Sequence, residues 1–463
     1  MQRQRQLAAG AQSRGPALFH GSPAFLRDCL LLPSASAEVP ARMVRRKMDL
    51  ISDCLIFNDT IQETRMNLIT TMHRCLRLLL LSVPLAAAAA AGADTRMPVV
   101  AGTDFWNVYG TPPAGRQAGD IVQVQKRTDA PKGASGWNVV YVSETAPGRL
   151  AYVSGEIYLP RGAGEAQRDV VLWNHETAGL ADACAPSRRS TREGGHDRVP
   201  ALAALLARGY VVVMSDYPGL GLPGQAFYMA GQPNARASLD MLRVARNFPG
   251  ARASNRYVMY GWSQGGQTTM WAESIAAAYA PEFTGLGAAL VAPAVRIRDL
   301  TLNSMTTAEN AGYVISTLPG IQASFPELRY RDFLAPEAME QLPVLANGCF
   351  DVWSAAAGVQ DAYQPDAIVP GSPWWNAMTA VDDFAPKGTM PFAIYQGSAD
   401  TTTPPNLTLR ERTALCSAGN AVDYHLFEGL DHSAVVPEAA ARLPGWFADR
   451  FAGKAAHNGC AVP

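Results

Sequence analysis

Beyond about residue 120 the apolar positions fall into two alternating rhythms. Asp120–Thr128, Trp137–Glu144 and Leu150–Leu159 read as successive strands separated by turns. Asp169–His175, Tyr210–Ser215 and Arg256–Tyr260 are short, nearly unbroken apolar runs, and Gly287–Val295, Pro391–Gln396 and Ala421–Phe427 follow the same type. Pro200–Arg208, Asn234–Phe248, Gln264–Tyr279 and Pro437–Phe451 instead carry apolar residues at helical spacing. Pro200 is expected in the first turn of its helix, where a missing N–H costs nothing. Fully apolar strands alternating with helices predict an α/β fold, a mostly parallel sheet covered on both faces. From about residue 296 to 388 the rhythm stops, leaving helical patches and turns without a core strand. That interval is too long for a loop and is expected to be an inserted helical cap.

The first hundred residues follow neither rhythm. From Met66 the chain reads MNLITTMHRCLRLLLLSVPLAAAAAAGADTR. Arg74 and Arg77 precede an apolar run from Leu78 to Ala91, and Ala91-Gly92-Ala93 is a small-x-small cleavage sequence. This layout predicts a secretory signal peptide over 66–93, too short for a spanning helix. Residues 1–65 are expected to be a non-functional, disordered upstream extension, from a start assigned too far upstream. The working protein is then 94–463, secreted or periplasmic, one α/β domain with its cap.

Composition narrows the classes. The 463 residues are 48% hydrophobic and 17% charged, which excludes disorder as the overall state. A net charge of −1 without charge runs shows no nucleic-acid footprint, and without residues 1–93 the charge becomes −6. No apolar run reaches the length of a membrane span, so a polytopic membrane protein is excluded. Cys29, Cys54 and Cys75 precede the expected cut, and Cys184, Cys349, Cys416 and Cys460 follow it. An even number in an exported protein suggests two disulfides, with three pairings open.

Gly261-Trp262-Ser263-Gln264-Gly265 matches G-x-S-x-G between an apolar strand and a helix. A strand-to-helix turn this tight strains the serine and leaves no room for side chains two residues either side. Ser263 is therefore the expected nucleophile, and the N–H of Gln264, at the helix N-terminus, an expected oxyanion donor. A serine hydroxyl needs a base, and the base a carboxylate. His432 follows the last strand, and Asp400 follows the strand before it, giving the order Ser–Asp–His. His425 lies within a strand, His196 precedes the nucleophile and His457 sits in the tail. Asp382 and Asp383 read as solvated charges at the cap boundary, and Asp431 is too close to His432 to orient it. The loop His175-Glu176-Thr177-Ala178-Gly179 should supply the second oxyanion donor, with the Thr177 N–H as candidate. His175 reads as structural, as does Asp216 in Asp216-Tyr217-Pro218-Gly219-Leu220-Gly221.

Further segments resemble one family. Phe105–Val122 (FWNVYGTPPAGRQAGDIV), Cys184-Ala185-Pro186-Ser187, Ser215-Asp216-Tyr217-Pro218-Gly219 and Leu239-Asp240 are similar to the secretory lipases of fungi and bacteria related to Candida antarctica lipase A. The resemblance covers most of residues 94–463. It implies an α/β-hydrolase fold with a helical cap after the sixth strand and Ser263, Asp400 and His432 as the triad. It also implies oxyanion donors at Thr177 and Gln264, and the disulfides Cys184–Cys349 and Cys416–Cys460. The chain departs from the family pattern at Trp262 and Gln264 in the elbow, and at Glu176 and Ala178 in the oxyanion loop.

The expected activity is hydrolysis of carboxylic esters, acylglycerols or other lipid-like acyl esters, through an acyl-enzyme and without metal or cofactor. Trp374 and Trp375 in the cap either shape the acyl pocket or fill the cap core. One rival is a peptidase of the same fold, which would need paired cap glutamates; Glu309, Glu327, Glu337 and Glu340 show no such pairing. The other is a non-catalytic binding protein, which usually lacks a triad member.

Overall fold

The computed structural model describes residues 97–460, apart from 163–165, 194–195, 360, 383 and 385–389. The upstream extension and signal peptide expected over 1–93 lie outside the described residues. Nine strands form one sheet: β1 (Ile121–Arg127), β2 (Ala134–Ala146), β3 (Arg149–Pro160), β4 (Arg168–Asn174), β5 (Val211–Ser215), β6 (Ala253–Trp262), β7 (Thr284–Val291), β8 (Phe392–Gly397) and β9 (Val422–Phe427). Their spatial order is β1-β2-β3-β5-β4-β6-β7-β8-β9. The first three and the β3/β5 pair are antiparallel. From β5 onward every neighbouring pair is parallel. This is the α/β architecture the apolar rhythm predicts.

The central strands are apolar on both faces because both are covered. Val170 and Leu172 of β4 join a core with Leu239, Leu242 and Met270. These come from α2 (Gln232–Asn247) and α3 (Gln264–Tyr279). Val171 and Trp173, one residue out of phase, join a second core with Leu202 and Leu205 of α1 (Leu202–Ala207) and with Leu443 and Phe447 of the C-terminal helix Val435–Phe451. Successive side chains on a strand point to opposite faces, so one strand feeds both cores.

Two expectations shift. Pro200 is not in the first helical turn: Ala201 adopts a left-handed φ of 64° and the helix begins at Leu202. The Pro200 carbonyl accepts from Tyr260 Oη–H at 2.7 Å. The strand expected over Gly287–Val295 ends at Val291, where Ala292 turns with φ 40°.

Among the described residues the interval after β7 is helical, and it follows the seventh strand of this chain rather than the sixth. Its helices are α4 (Ile297–Ser304), α5 (Ala311–Ser324), the short α6 (Pro336–Met339) and α7 (Leu342–Ala346), and α8 (Pro373–Ala380). They share a separate core around Ile315, Leu318, Phe333, Trp353, Trp374 and Met378, which also takes in Tyr228 and Met229 from the chain after β5. No helix among the described residues is long and apolar enough to cross a membrane.

The four cysteines pair as Cys184–Cys349 and Cys416–Cys460. The first ties the loop after β4 to the cap, next to an antiparallel bridge between Gly179 and Cys349. The second anchors the C-terminal tail to helix α9 (Pro405–Ser417).

Candidate active site

Ser263 sits between β6 and α3 with φ 54° and ψ −118°, a backbone conformation that a side-chain-bearing residue rarely holds. The turn is locked from both ends. Ser263 N–H donates to Val291 O at 3.0 Å, and Ser263 O accepts from Gly266 N–H at 2.8 Å and Ala294 N–H at 2.9 Å. A Cβ on Gly261 would lie 2.1 Å from Gly265 O, and one on Gly265 would lie 1.9 Å from Asn174 O. Both glycines of the motif are thus required by backbone crossing. The early end of β7 and the turn at Ala292 follow from the same lock, since they bring Ala294 N–H under the serine.

The loops after β8 and β9 close against each other. A Cβ on Gly397 would sit 2.2 Å from Leu430 O, and Ala399 N–H donates to that carbonyl at 3.0 Å. This contact brings His432 Nδ1 to 2.9 Å from Asp400 Oδ2. Asp400 is 3% exposed, yet its carboxylate is crowded with donors. Oδ1 accepts from the backbone N–H groups of Thr402 (2.9 Å) and Thr403 (2.8 Å). Oδ2 also accepts from Gln396 Nε2 (3.0 Å). Burial pushes the Asp400 pKa up, but the bonds from His432 and Thr403 outweigh it and hold the group below the usual carboxylate range. Asp400 is therefore an anion able to stabilise a positive charge on His432.

Sequence reasoning missed Thr403. Its Oγ1 lies 2.8 Å from Asp400 Oδ2, 3.1 Å from His432 Nδ1 and 3.1 Å from Ala292 O. The signal was the run Thr401-Thr402-Thr403 ahead of Pro404-Pro405, in which an Asp can accept from N–H groups two and three residues on.

The other titratable residues divide as follows. Asp431 Oδ1 accepts from the N–H groups of Ser433 (3.0 Å) and Ala434 (2.8 Å), so it serves the turn into the last helix rather than His432. Asp382 is not a solvated boundary charge: it accepts the Ile297 N–H at the start of α4, and burial pushes its pKa up. Asp383 lies outside the described residues. His425 stacks on Tyr395 and contacts Asp423, which also meets His457. Asp216 is fully buried and accepts from Ser154 Oγ (2.6 Å) and Ser187 N–H (2.9 Å). His175 is buried with its ring nitrogens facing the carbonyls of Glu176 and Asp216, and its ring stacks on Tyr217. Burial pushes the His175 pKa down to about 4, so it is a neutral structural ring.

Two cavities meet at Ser263. One, of about 550 Å³, is lined by Ser263, His432, Trp262, Thr177 and Phe350. The other, of about 40 Å³, runs under the cap and shares Ser263, Thr177 and Tyr313 with the first. Thr177 Oγ1 lies 2.9 Å from Tyr228 Oη. Gln264 is the first residue of α3, where backbone N–H groups have no partner within the helix. Trp374 is 1% exposed, packs on Phe333 and donates to Arg329 O, while Arg298 lies over the Trp375 ring. Both tryptophans belong to the packing of the cap. Glu309, Glu327, Glu337 and Glu340 are exposed and line neither cavity.

Residues 186–459 match the family described as "Secretory lipase". That span holds Ser263, Asp400, His432 and the cap; Thr177 lies ahead of it. A secreted triacylglycerol lipase of Malassezia globosa is 26% identical over 319 residues, 64% of this chain and 68% of that one. Candida antarctica lipase A shares the fold at a TM-score of 0.63 and 18% identity, over 76% of this chain and 87% of that one. The rice cell wall degrading esterase LipA of Xanthomonas oryzae does so at 0.59 and 18%, over 73% and 98%.

Proposed function

The chain belongs to the secretory lipase family, and on that premise we propose that it is an exported serine hydrolase of carboxylic esters, acting on acylglycerols or other lipid-like acyl esters. The observation that carries this reading is Ser263, held at a left-handed turn above the sheet and sharing one cavity with a histidine that is bonded to a buried, anionic aspartate. In this reading Ser263 Oγ attacks the ester carbonyl while His432 Nε2 takes its proton. The positive ring is held by Asp400 through Nδ1–H. The N–H groups of Thr177 and Gln264 receive the oxyanion of the tetrahedral intermediate, each worth about 3 kcal/mol in such sites. His432 then returns the proton to the departing alcohol, leaving the acyl group on Ser263. Water attacks that ester by the same route and frees the acid. Thr403 positions Asp400 and His432, and it also lines the cavity of about 40 Å³ beside Ser263.

Cleavage after Ala93 and a dispensable 1–65 belong to the same proposal, supported by the sequence at Arg74–Ala93 and by the secreted relative; N-terminal sequencing of the exported protein tests them. The activity is tested with p-nitrophenyl esters. Ser263→Ala should abolish turnover while leaving the fold intact, and turnover near the wild-type rate would overturn the assignment.

A further inference from the structure

The two cavities at Ser263 differ in which catalytic group they reach, and this orients the substrate. The departing alcohol must lie where His432 can protonate it, and His432 lines only the cavity of about 550 Å³. The cavity of about 40 Å³ touches Ser263 and Thr177 but not His432. The acyl chain, which receives no proton, belongs in this second space. We infer that the enzyme is selective for short acyl groups, of about two to four carbons, carried on large alcohols; this rests on Ser263 being the nucleophile of an ester hydrolase.

The size argument is direct. A water-sized group occupies roughly 10–15 Å³ of such a cavity, so about 40 Å³ holds about three groups. A butyryl chain has three carbons beyond its carbonyl, whereas a palmitoyl chain has fifteen. The walls have little freedom to retreat. Tyr228 and Met229 on one side and Val314 on the other belong to the packed core of the cap. Gly320 of α5 approaches Tyr228 so closely that a Cβ there would lie 1.9 Å from Tyr228 O. A wall held by backbone contact at a glycine moves only with the whole helix. Leu300, Thr301 and Ser304 of α4 add to this wall, the last two nearly buried. The larger cavity is lined by Glu176, Arg189, Asp351 and Trp262, which suits a polar, bulky alcohol such as glycerol with its remaining acyl arms.

The test uses the full-length exported protein and p-nitrophenyl esters of two, four, eight, twelve and sixteen carbons, alongside tributyrin and triolein. A fluorophosphonate probe with a short alkyl chain, with Ser263→Ala as control, reports separately whether the nucleophile works. The inference expects kcat/KM to peak at two to four carbons and to fall at least tenfold by twelve, with tributyrin preferred over triolein. Leu300→Ala and Val314→Ala should each move the peak to longer chains. Probe labelling with a peak at twelve to sixteen carbons overturns the acyl-length inference and leaves the hydrolase reading standing. Absence of both labelling and ester turnover overturns the hydrolase reading itself.

Discussion

The sheet and the cap meet at Ser263, but they reach it by different means. The sheet presents its reactive groups at the ends of β6, β8 and β9, on turns fixed by backbone crossing: Gly265 against Asn174, and Gly397 against Leu430. The triad proposed above draws no member from the cap. The cap contributes packed walls, with α5 pressed against Tyr228 from the chain after β5, and it is tied to the loop that carries Thr177 through Cys184–Cys349. On the proposed reading, one region sets which bond is broken, and the other sets which ester can bring that bond within reach. The two should therefore fail differently when altered.

The largest separation should come from Asp400. Asp400→Asn keeps the volume but removes the anion that stabilises a charged His432, so kcat should fall about 10⁴-fold with little change in acyl-length preference. A shifted preference would mean that the sheet also sets specificity. The disulfides give the next contrast. Cys416→Ser with Cys460→Ser frees a tail held against α9 and β9, and should lower stability to urea by about 3–4 kcal/mol while leaving kcat/KM nearly unchanged. Cys184→Ser with Cys349→Ser should lower both stability and kcat, because it releases the Thr177 loop from the cap. Equal effects of the two pairs on activity would remove the claimed link between cap and oxyanion loop.

His175 supports the site without entering the chemistry, and its signature is in stability. Its folded pKa, about 4, lies below the ordinary value of 6.5. The unfolded chain therefore takes a proton that the folded chain refuses. Stability from this group is complete above pH 6.5 and is lost as pH falls toward 4, by about 3 kcal/mol in all. Urea midpoints across that range should show the loss, and His175→Gln should flatten it. The smallest effect is expected at Thr403. Thr403→Val removes one charge-assisted hydrogen bond, and should cut kcat about 10- to 100-fold with KM nearly constant. Thr403→Ser should restore most of the rate. A change confined to KM would mean that Thr403 acts only as part of the acyl wall it lines.

The difference between the two regions also governs what could be read from the chain. Unbroken apolar runs such as YVVVMS announce strands buried on both faces, and a glycine two residues either side of a serine announces a tight turn. These are local signals, and the triad proposed at Ser263, Asp400 and His432 is read from them with the order of the loops. Thr403 was missed because its value depends on Asp400, His432 and Ala292 arriving from three loops, which no periodicity encodes. The end of β7 was misplaced for the same reason: Ala292 leaves the strand to serve Ser263, although its sequence could continue it. Pro200 was placed inside a helix because an X-Pro pair looks the same one residue earlier, and only the left-handed Ala201 shows where the helix begins. The cap cavity was not legible at all, since its walls combine residues of α4 and α5 with loop residues such as Thr177, Tyr228 and Thr403, brought together only by tertiary packing.

The central claim is that Ser263 carries the acyl group during turnover. The direct measurement is mass spectrometry of the enzyme quenched in mid-reaction with p-nitrophenyl butyrate, followed by peptide mapping. A butyryl adduct is expected on Ser263, absent in Ser263→Ala and increased in variants that slow its release, such as Asp400→Asn. Full turnover by the wild-type enzyme with Ser263 unmodified, or an adduct on another residue, would contradict it.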